Sequence, residues 1–351
     1  MQQVMRRAVR PPLCLAAALV LLAAGSVSVS SGQSGTGTGT GTGTVTGTVR
    51  TDSVWSPSLG TYKALVVYLP PSYRTATRTR YPLLVYLHGR GGNERNWVDA
   101  GRLDRTMDSL VRTGGPEAII AMPDGDDGWY ATWNQLGDVN ACRADTVRRE
   151  SAATYCVPWT RYDDYIARDI VSHMDTRYRT IARRESRGIA GLSMGGVGAL
   201  TVALQYPDVF AAAASHSGVV SPRYLGPKPF VPPPRYANTT AELQSAARTL
   251  WSNLKWVMGK DTIGWNARDP GHMVQRLQAR AATGGPHIPH LMFDVGVDDA
   301  YVDQNRDLHA TLTRLGVAHR YAEWTGAHSW SYWQMHAAES VQFLLGNVSG
   351  R

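Results

Sequence analysis

Short apolar runs recur along this chain, and they constrain its fold more than any other feature. They read "YKALVVYLP" (62–70), "YPLLVYLHG" (81–89), "EAIIAMPDG" (117–125), "RGIAGLS" (187–193), "FAAAASHSG" (210–218), "PHLMFDVG" (289–296) and "HRYAEWTG" (319–326). Runs of this length, mostly stopping at glycine or aspartate, are the pattern of strands buried on both faces, as in a parallel sheet. Helical patterns lie between them. Tyr162, Ile166, Ile170, Met174 and Tyr178 recur every fourth residue and form one apolar stripe. Segments 194–205, 300–315 and 330–346 also read as helices. Strands alternating with helices predict an α/β fold: a mostly parallel central sheet with helices on both faces.

Two stretches break the rhythm. Residues 126–159 hold Trp129, Trp133, Trp159 and two cysteines, and residues 221–270 hold "GPKPFVPPPRY" and a tryptophan-containing helical pattern. Insertions beyond the carboxyl ends of parallel strands build ligand sites. Trp129 and Trp133 are therefore expected in a substrate wall, with packing inside the insertion as the competing role.

The amino-terminal 50 residues have a different texture. Arg6, Arg7 and Arg10 precede thirteen residues, "LCLAAALVLLAAG" (13–25). That stretch is short of the roughly 20 residues that span a bilayer. Residues 1–31 are expected to be a secretory signal, with no stable membrane insertion after cleavage. The glycine- and threonine-rich segment 32–50 is expected to be a disordered linker, and the catalytic domain to occupy 51–351. Cys142 and Cys156 remain after cleavage. In an exported protein that pair predicts one disulfide. The 36 basic and 28 acidic residues give a net charge of +8. The positive residues are interspersed with acids and match no nucleic-acid motif.

One motif carries chemistry. "GLSMG" fits G-x-S-x-G, with Ser193 between Gly191 and Gly195. An apolar strand pattern enters it and a helix-compatible segment leaves it, the context of a nucleophile elbow. A serine hydroxyl needs a base, and the base needs an orienting acid. His328 in "TGAHSWSYW" follows the last strand pattern and is the expected base. His319, at a strand start, and His336, in the final helical pattern, fit surface or packing roles. His88 fits support of the "HGRGG" turn. Asp299, third after Gly296, is the expected acid, with neighbouring Asp298 the alternative. Asp294 reads as still in the strand, and Asp303 as already in the next helix. The backbone amides of Met194 and Arg90 are expected to bind a developing oxyanion.

"VVYLPPSY", "LLVYLHGRGGNERNW", "GLSMGG" and "TGAHSWSYW" together resemble the esterase D group of α/β-hydrolases. That group includes S-formylglutathione hydrolases, feruloyl esterases, short-acyl esterases and mycolyltransferases. The resemblance covers about residues 55–346. It implies an α/β-hydrolase fold, nucleophile Ser193, acid Asp299, base His328, and oxyanion amides on Met194 and Arg90. It departs from the expected common core in the cysteine-bearing insertion, and an export signal fits poorly with a cytosolic formylglutathione role. The expected function is an exported serine esterase acting on a small-molecule, glycan or lipid ester. The alternatives are an acyltransferase with an alcohol or sugar acceptor, and a non-catalytic glycan- or wall-binding module. No cofactor is expected. "DGDDG" (124–128) reads as a plain acidic turn rather than a calcium loop, which needs a longer, spaced ligand set.

Overall fold

The computed structural model describes residues 46–133, 139–146, 150–157 and 160–349. The expected signal segment and residues 32–45 of the expected linker lie outside these residues, as does Trp159.

Eight strands form one sheet: β1 (Thr48–Ser56), β2 (Thr61–Leu69), β3 (Leu83–Leu87), β4 (Ile119–Pro123), β5 (Arg187–Leu192), β6 (Ala212–His216), β7 (His290–Gly296) and β8 (His319–Trp324). Their spatial order is β1-β2-β4-β3-β5-β6-β7-β8. β2 pairs antiparallel with both β1 and β4. Every other pairing is parallel. The seven apolar runs thus become β2 to β8. β1 was not among them, and it corrects the linker boundary. Thr48, Val49 and Arg50, inside the segment expected to be disordered, pair with Leu69, Tyr68 and Val67. β1 has a neighbour on one side only, and just Val54 and Ser56 of it are buried. An edge strand does not need a continuous apolar run.

Successive side chains of the inner strands point to opposite faces. Leu84, Tyr86, Ile120 and Met122 pack with helices α1 (Leu103–Arg112) and α6 (Trp330–Asn347). Leu83, Val85, Ile119 and Ala121 pack on the other face. There the covering helices are α2 (Val171–Arg177), α3 (Met194–Gln205), α4 (Pro270–Ala281) and α5 (Val302–Arg314). The stripe predicted over 162–178 is helical but not uniformly α. A short α turn (Tyr162–Asp164) runs into a π turn (Tyr165–Ile170) before α2. Strict four-residue spacing is longer than the 3.6-residue α repeat, and the wider π turn absorbs the mismatch. Tyr178 falls just past α2 in extended backbone, where its hydroxyl donates to Asp52 of β1.

The insertion after β4 contains a two-residue strand (Thr132–Trp133) paired with Thr160–Arg161, and helices Val139–Ala144 and Ala152–Tyr155. Cys142 and Cys156 are joined by a disulfide, with Cα atoms 5.6 Å apart. Closing a loop of this length stabilises a fold by about 3 kcal/mol through lost unfolded-state entropy. The double variant Cys142→Ser/Cys156→Ser is therefore expected to be less stable by about that amount. Urea denaturation of both proteins checks this; coincident midpoints would deny the bridge a stabilising role. The insertion after β6 adds helices Thr240–Ala247, Trp251–Val257 and Thr262–Ala267. The two insertions are tied together: the Trp129 indole N–H donates to Asn253, and Asn253 donates to the Tyr155 hydroxyl at 2.9 Å.

Candidate active site

The carboxyl ends of β3, β5, β7 and β8 bring together residues far apart in sequence. Ser193 sits between the end of β5 and the start of α3, with φ 53° and ψ −115°. A non-glycine residue held there stores about 1–3 kcal/mol of strain. The surroundings hold it: the Ser193 N–H donates to the His216 carbonyl at 2.9 Å, tying the turn to β6. The flanking glycines answer to close approach. A Cβ on Gly191 would overlap the Gly195 carbonyl, and one on Gly195 would overlap the backbone at Leu87 and His88.

His328 lies in the loop between β8 and α6. Its Nε2 is 2.9 Å from Ser193 Oγ, and its Nδ1 is 2.9 Å from Asp299 Oδ2. A carboxylate only accepts, so Nδ1 carries the proton and Nε2 is left to accept from the serine hydroxyl. The imidazole is wedged by rings, with Trp333 at 4.9 Å and Tyr301 at 5.1 Å, both edge-on. It is still 29% exposed, so a ligand can reach it. The Asp299 side chain is fully buried. Its second oxygen accepts from the Tyr301 N–H at 2.9 Å. The loop carrying it is stitched down, since Val297 and Asp298 donate backbone N–H bonds to Trp324 and Gly326. Asp298 points its exposed side of this loop to solvent, and it is Asp299 that meets the histidine.

The competing residues have other work. His319 bonds His309 at 2.8 Å, and His336 stacks on Trp324 with ring centres 4.2 Å apart. Asp294 is buried in β7, accepts from the Tyr332 hydroxyl at 2.9 Å and lies 2.7 Å from His216 Nδ1. Asp303 lies in α5 and accepts the Phe230 N–H. Asp124 and Asp126 of the acidic turn pair with Lys63 at 2.8 and 2.6 Å.

His88 braces the turn after β3. Its Nε2 accepts the Gly125 N–H at 2.9 Å, which leaves Nδ1–H to donate to the Gly89 carbonyl at 2.8 Å. Asp127 accepts the Gly91 N–H at 2.6 Å, and the Trp97 indole donates to the Leu87 carbonyl. Gly89 is pressed against the nucleophile turn: a Cβ there would lie 3.5 Å from that of Ser193. Arg90 follows on this clamped turn and lines the cavity. Met194 is the first residue of α3, so its N–H has no acceptor within the helix.

A cavity of about 460 Å³ opens over Ser193 and His328. Trp129 lines it, as expected. Trp133 does not: it is stacked on Tyr162 at 5.7 Å and packed on Tyr155 at 5.1 Å. The second insertion, expected from sequence to help build the site, does line the cavity, but its individual wall residues and those of the later loops were not singled out. Trp330 and Trp333 come from the first turn of α6, Thr249 and Leu250 from the second insertion, and Tyr301 from the turn before α5. The i, i+3 spacing of Trp330 and Trp333 directly after His328 was a usable signal. Nothing local marks Thr249 or Leu250. Burial, then the nearby Asp299 charge, push the Tyr301 phenol pKa up.

Comparison with known proteins agrees with this architecture. The Esterase family model matches residues 56–344. A curated esterase of Mycobacterium tuberculosis is 28% identical over 282 residues, covering 78% of this chain and 53% of that protein. The chain thus spans about half the length of the first curated relatives it matches. Among solved structures, a ferulic acid esterase superposes with TM-score 0.59 at 23% identity, covering 86% of this chain and 99% of the other. An S-formylglutathione hydrolase of Staphylococcus aureus superposes with TM-score 0.61 at 20% identity, covering 85% and 99%. At such identities the superpositions speak for the fold, an α/β-hydrolase. The family match extends over most of the folded chain, and on that ground the chain belongs to the Esterase family, an esterase D-like group.

Proposed function

We propose that this protein is an exported serine esterase that cleaves carboxylic esters through an acyl-enzyme on Ser193. The observation that carries the reading is the continuous relay Asp299–His328–Ser193, with both links at 2.9 Å, at the floor of an open cavity. His328 Nε2 takes the Ser193 proton as Oγ attacks the ester carbon. The tetrahedral oxyanion is held by the Met194 and Arg90 amides. His328 returns the proton to the departing alcohol, and Asp299 stabilises the imidazolium in between. Water then enters and loses a proton to His328 as it attacks the acyl carbon; the bond to Ser193 Oγ breaks, His328 returns the proton to Oγ, and the acid leaves. The complete set of three side chains speaks against a non-catalytic binding module.

Export rests on the arginine-led apolar segment at the amino terminus and on the disulfide, which suits an oxidising compartment. In this reading residues 1–31 are the signal, the glycine–threonine segment up to β1 is a tether, and the insertions at 126–159 and 221–270 shape the site.

A fluorophosphonate probe tests the centre. It is expected to label the wild type and not Ser193→Ala; equal labelling of both would remove Ser193 as nucleophile. Hydrolysis of p-nitrophenyl butyrate should yield free butyrate; if it yields only an acylated alcohol or sugar acceptor, the enzyme is a transferase. Trp129→Leu removes one indole wall and is expected to raise KM for phenyl-bearing acyl esters about tenfold. The control is p-nitrophenyl acetate, whose KM should move far less. An equal shift for both would place Trp129 in packing alone.

A further inference from the structure

Among the described residues no acidic side chain lines the cavity, whereas one cation does and a second adjoins its wall. Arg90 lines it directly. Arg248 immediately precedes Thr249 and Leu250 of the wall, at a left-handed position with φ 51°. Both side chains are exposed, and among the described residues neither has a carboxylate partner. Arg90 comes from the turn after β3 and Arg248 from the second insertion, so the two cations reach the cavity from separate loops, on the side where the Tyr301 ring packs edge-on against His328.

Some arginines elsewhere in the chain are ion-paired. Arg306 is matched by Glu323 at 2.7 Å, Arg187 by Asp175 at 2.5 Å and Arg95 by Asp99 at 2.9 Å. The acids near the cavity are otherwise engaged. Lys63 pairs with Asp124 and Asp126, Asp127 accepts the Gly91 N–H, and Glu150 accepts the Asp127 N–H. Asp299 is buried against His328, which leaves exposed Asp298 as the nearby free carboxylate of that loop. The amino-terminal ends of α3, α5 and α6 also open toward the cavity, through Ser193, Tyr301 and Trp330. Their positive dipole ends favour an anion there. That feature belongs to the fold, whereas Arg90 and Arg248 belong to this sequence.

We infer that the ester handled by this enzyme carries an anionic group, a carboxylate or a phosphate, which Arg90 and Arg248 hold at the cavity mouth. The aromatic walls would then take the apolar part of the same molecule. The inference deepens the proposed function and rests on Ser193 being the nucleophile.

Two matched pairs of substrates test it and separate the two places the anion could occupy. p-Nitrophenyl hemiadipate against p-nitrophenyl hexanoate puts the charge on the acyl side. 4-Acetoxybenzoate against its methyl ester puts it on the alcohol side. For one of these pairs, Arg248→Gln and Arg90→Gln are each expected to lower the charged-to-neutral ratio of kcat/KM about fivefold, the size of one partly exposed charge-assisted contact. The Arg90 variant keeps its backbone N–H. Raising NaCl from about 50 to about 500 mM should lower the same ratio in the wild type by screening. The pair that responds identifies the side of the ester that bears the anion. Ratios unmoved by both substitutions, in both pairs, would overturn the inference. The neutral hexanoate keeps the two ideas apart: its loss in Ser193→Ala tests the serine mechanism, and only the ratios test the anion site.

Discussion

Ser193→Ala, His328→Ala and the double variant are each expected to lose about a million-fold in kcat toward p-nitrophenyl butyrate, with the double no worse than either single. The reason is geometric. In the proposed mechanism Ser193 and His328 share one proton across 2.9 Å, so removing either end removes the same step. What survives, about a thousandfold over water, comes from the oxyanion amides and from binding. Single-turnover kinetics would check this, with a thermal melt to show that each variant is folded. Losses that multiply in the double variant would mean that the two side chains act in separate steps.

The second large effect separates neighbours in sequence. Asp299→Asn is expected to lower kcat about ten-thousand-fold, whereas Asp298→Asn should stay within about threefold. Asp299 accepts at both oxygens, from the Tyr301 N–H and from His328 Nδ1, each at 2.9 Å. An asparagine can keep only its carbonyl oxygen as an acceptor. If that oxygen stays on the Tyr301 amide, the NH₂ faces His328 Nδ1 and imposes the wrong tautomer. Nε2 then carries a hydrogen and cannot take the serine proton. Because the carboxylate is buried, water offers no substitute acceptor. The steady-state kcat of the two variants on one ester decides the matter; a larger loss in Asp298→Asn would reassign the acid.

Much of this was legible from the sequence because the informative residues are local. A buried parallel strand must be apolar along its whole length, so β3 to β7 announce themselves. A serine forced to φ 53° between crowded neighbours needs Gly191 and Gly195, so the elbow does too. Elements that obey no such local rule were missed. β1 is an edge strand with two buried residues, and its sequence looks like linker. Trp129 and Trp133 are equivalent in sequence, four residues apart and both aromatic. One lines the cavity, and the other stacks on Tyr162.

By itself the sequence determined the alternation of strands and helices, the strained turn and the order of the candidate serine, acid and base along the chain. Each follows from a constraint acting within a few residues: burial on both faces of a strand, crowding at a tight turn, or loop position after a strand. Tertiary structure decided the remainder. It chose Asp299 over Asp298 by burying one carboxylate against His328 and leaving the other in water. It also built the cavity wall from Arg90, Leu250, Tyr301 and Trp330, and set Arg248 at the edge of that wall. These residues belong to separate loops, and only the packed sheet brings those loops to one end. Specificity lies in that convergence, because a ligand meets a surface assembled across the chain, whereas a motif records only neighbours along it.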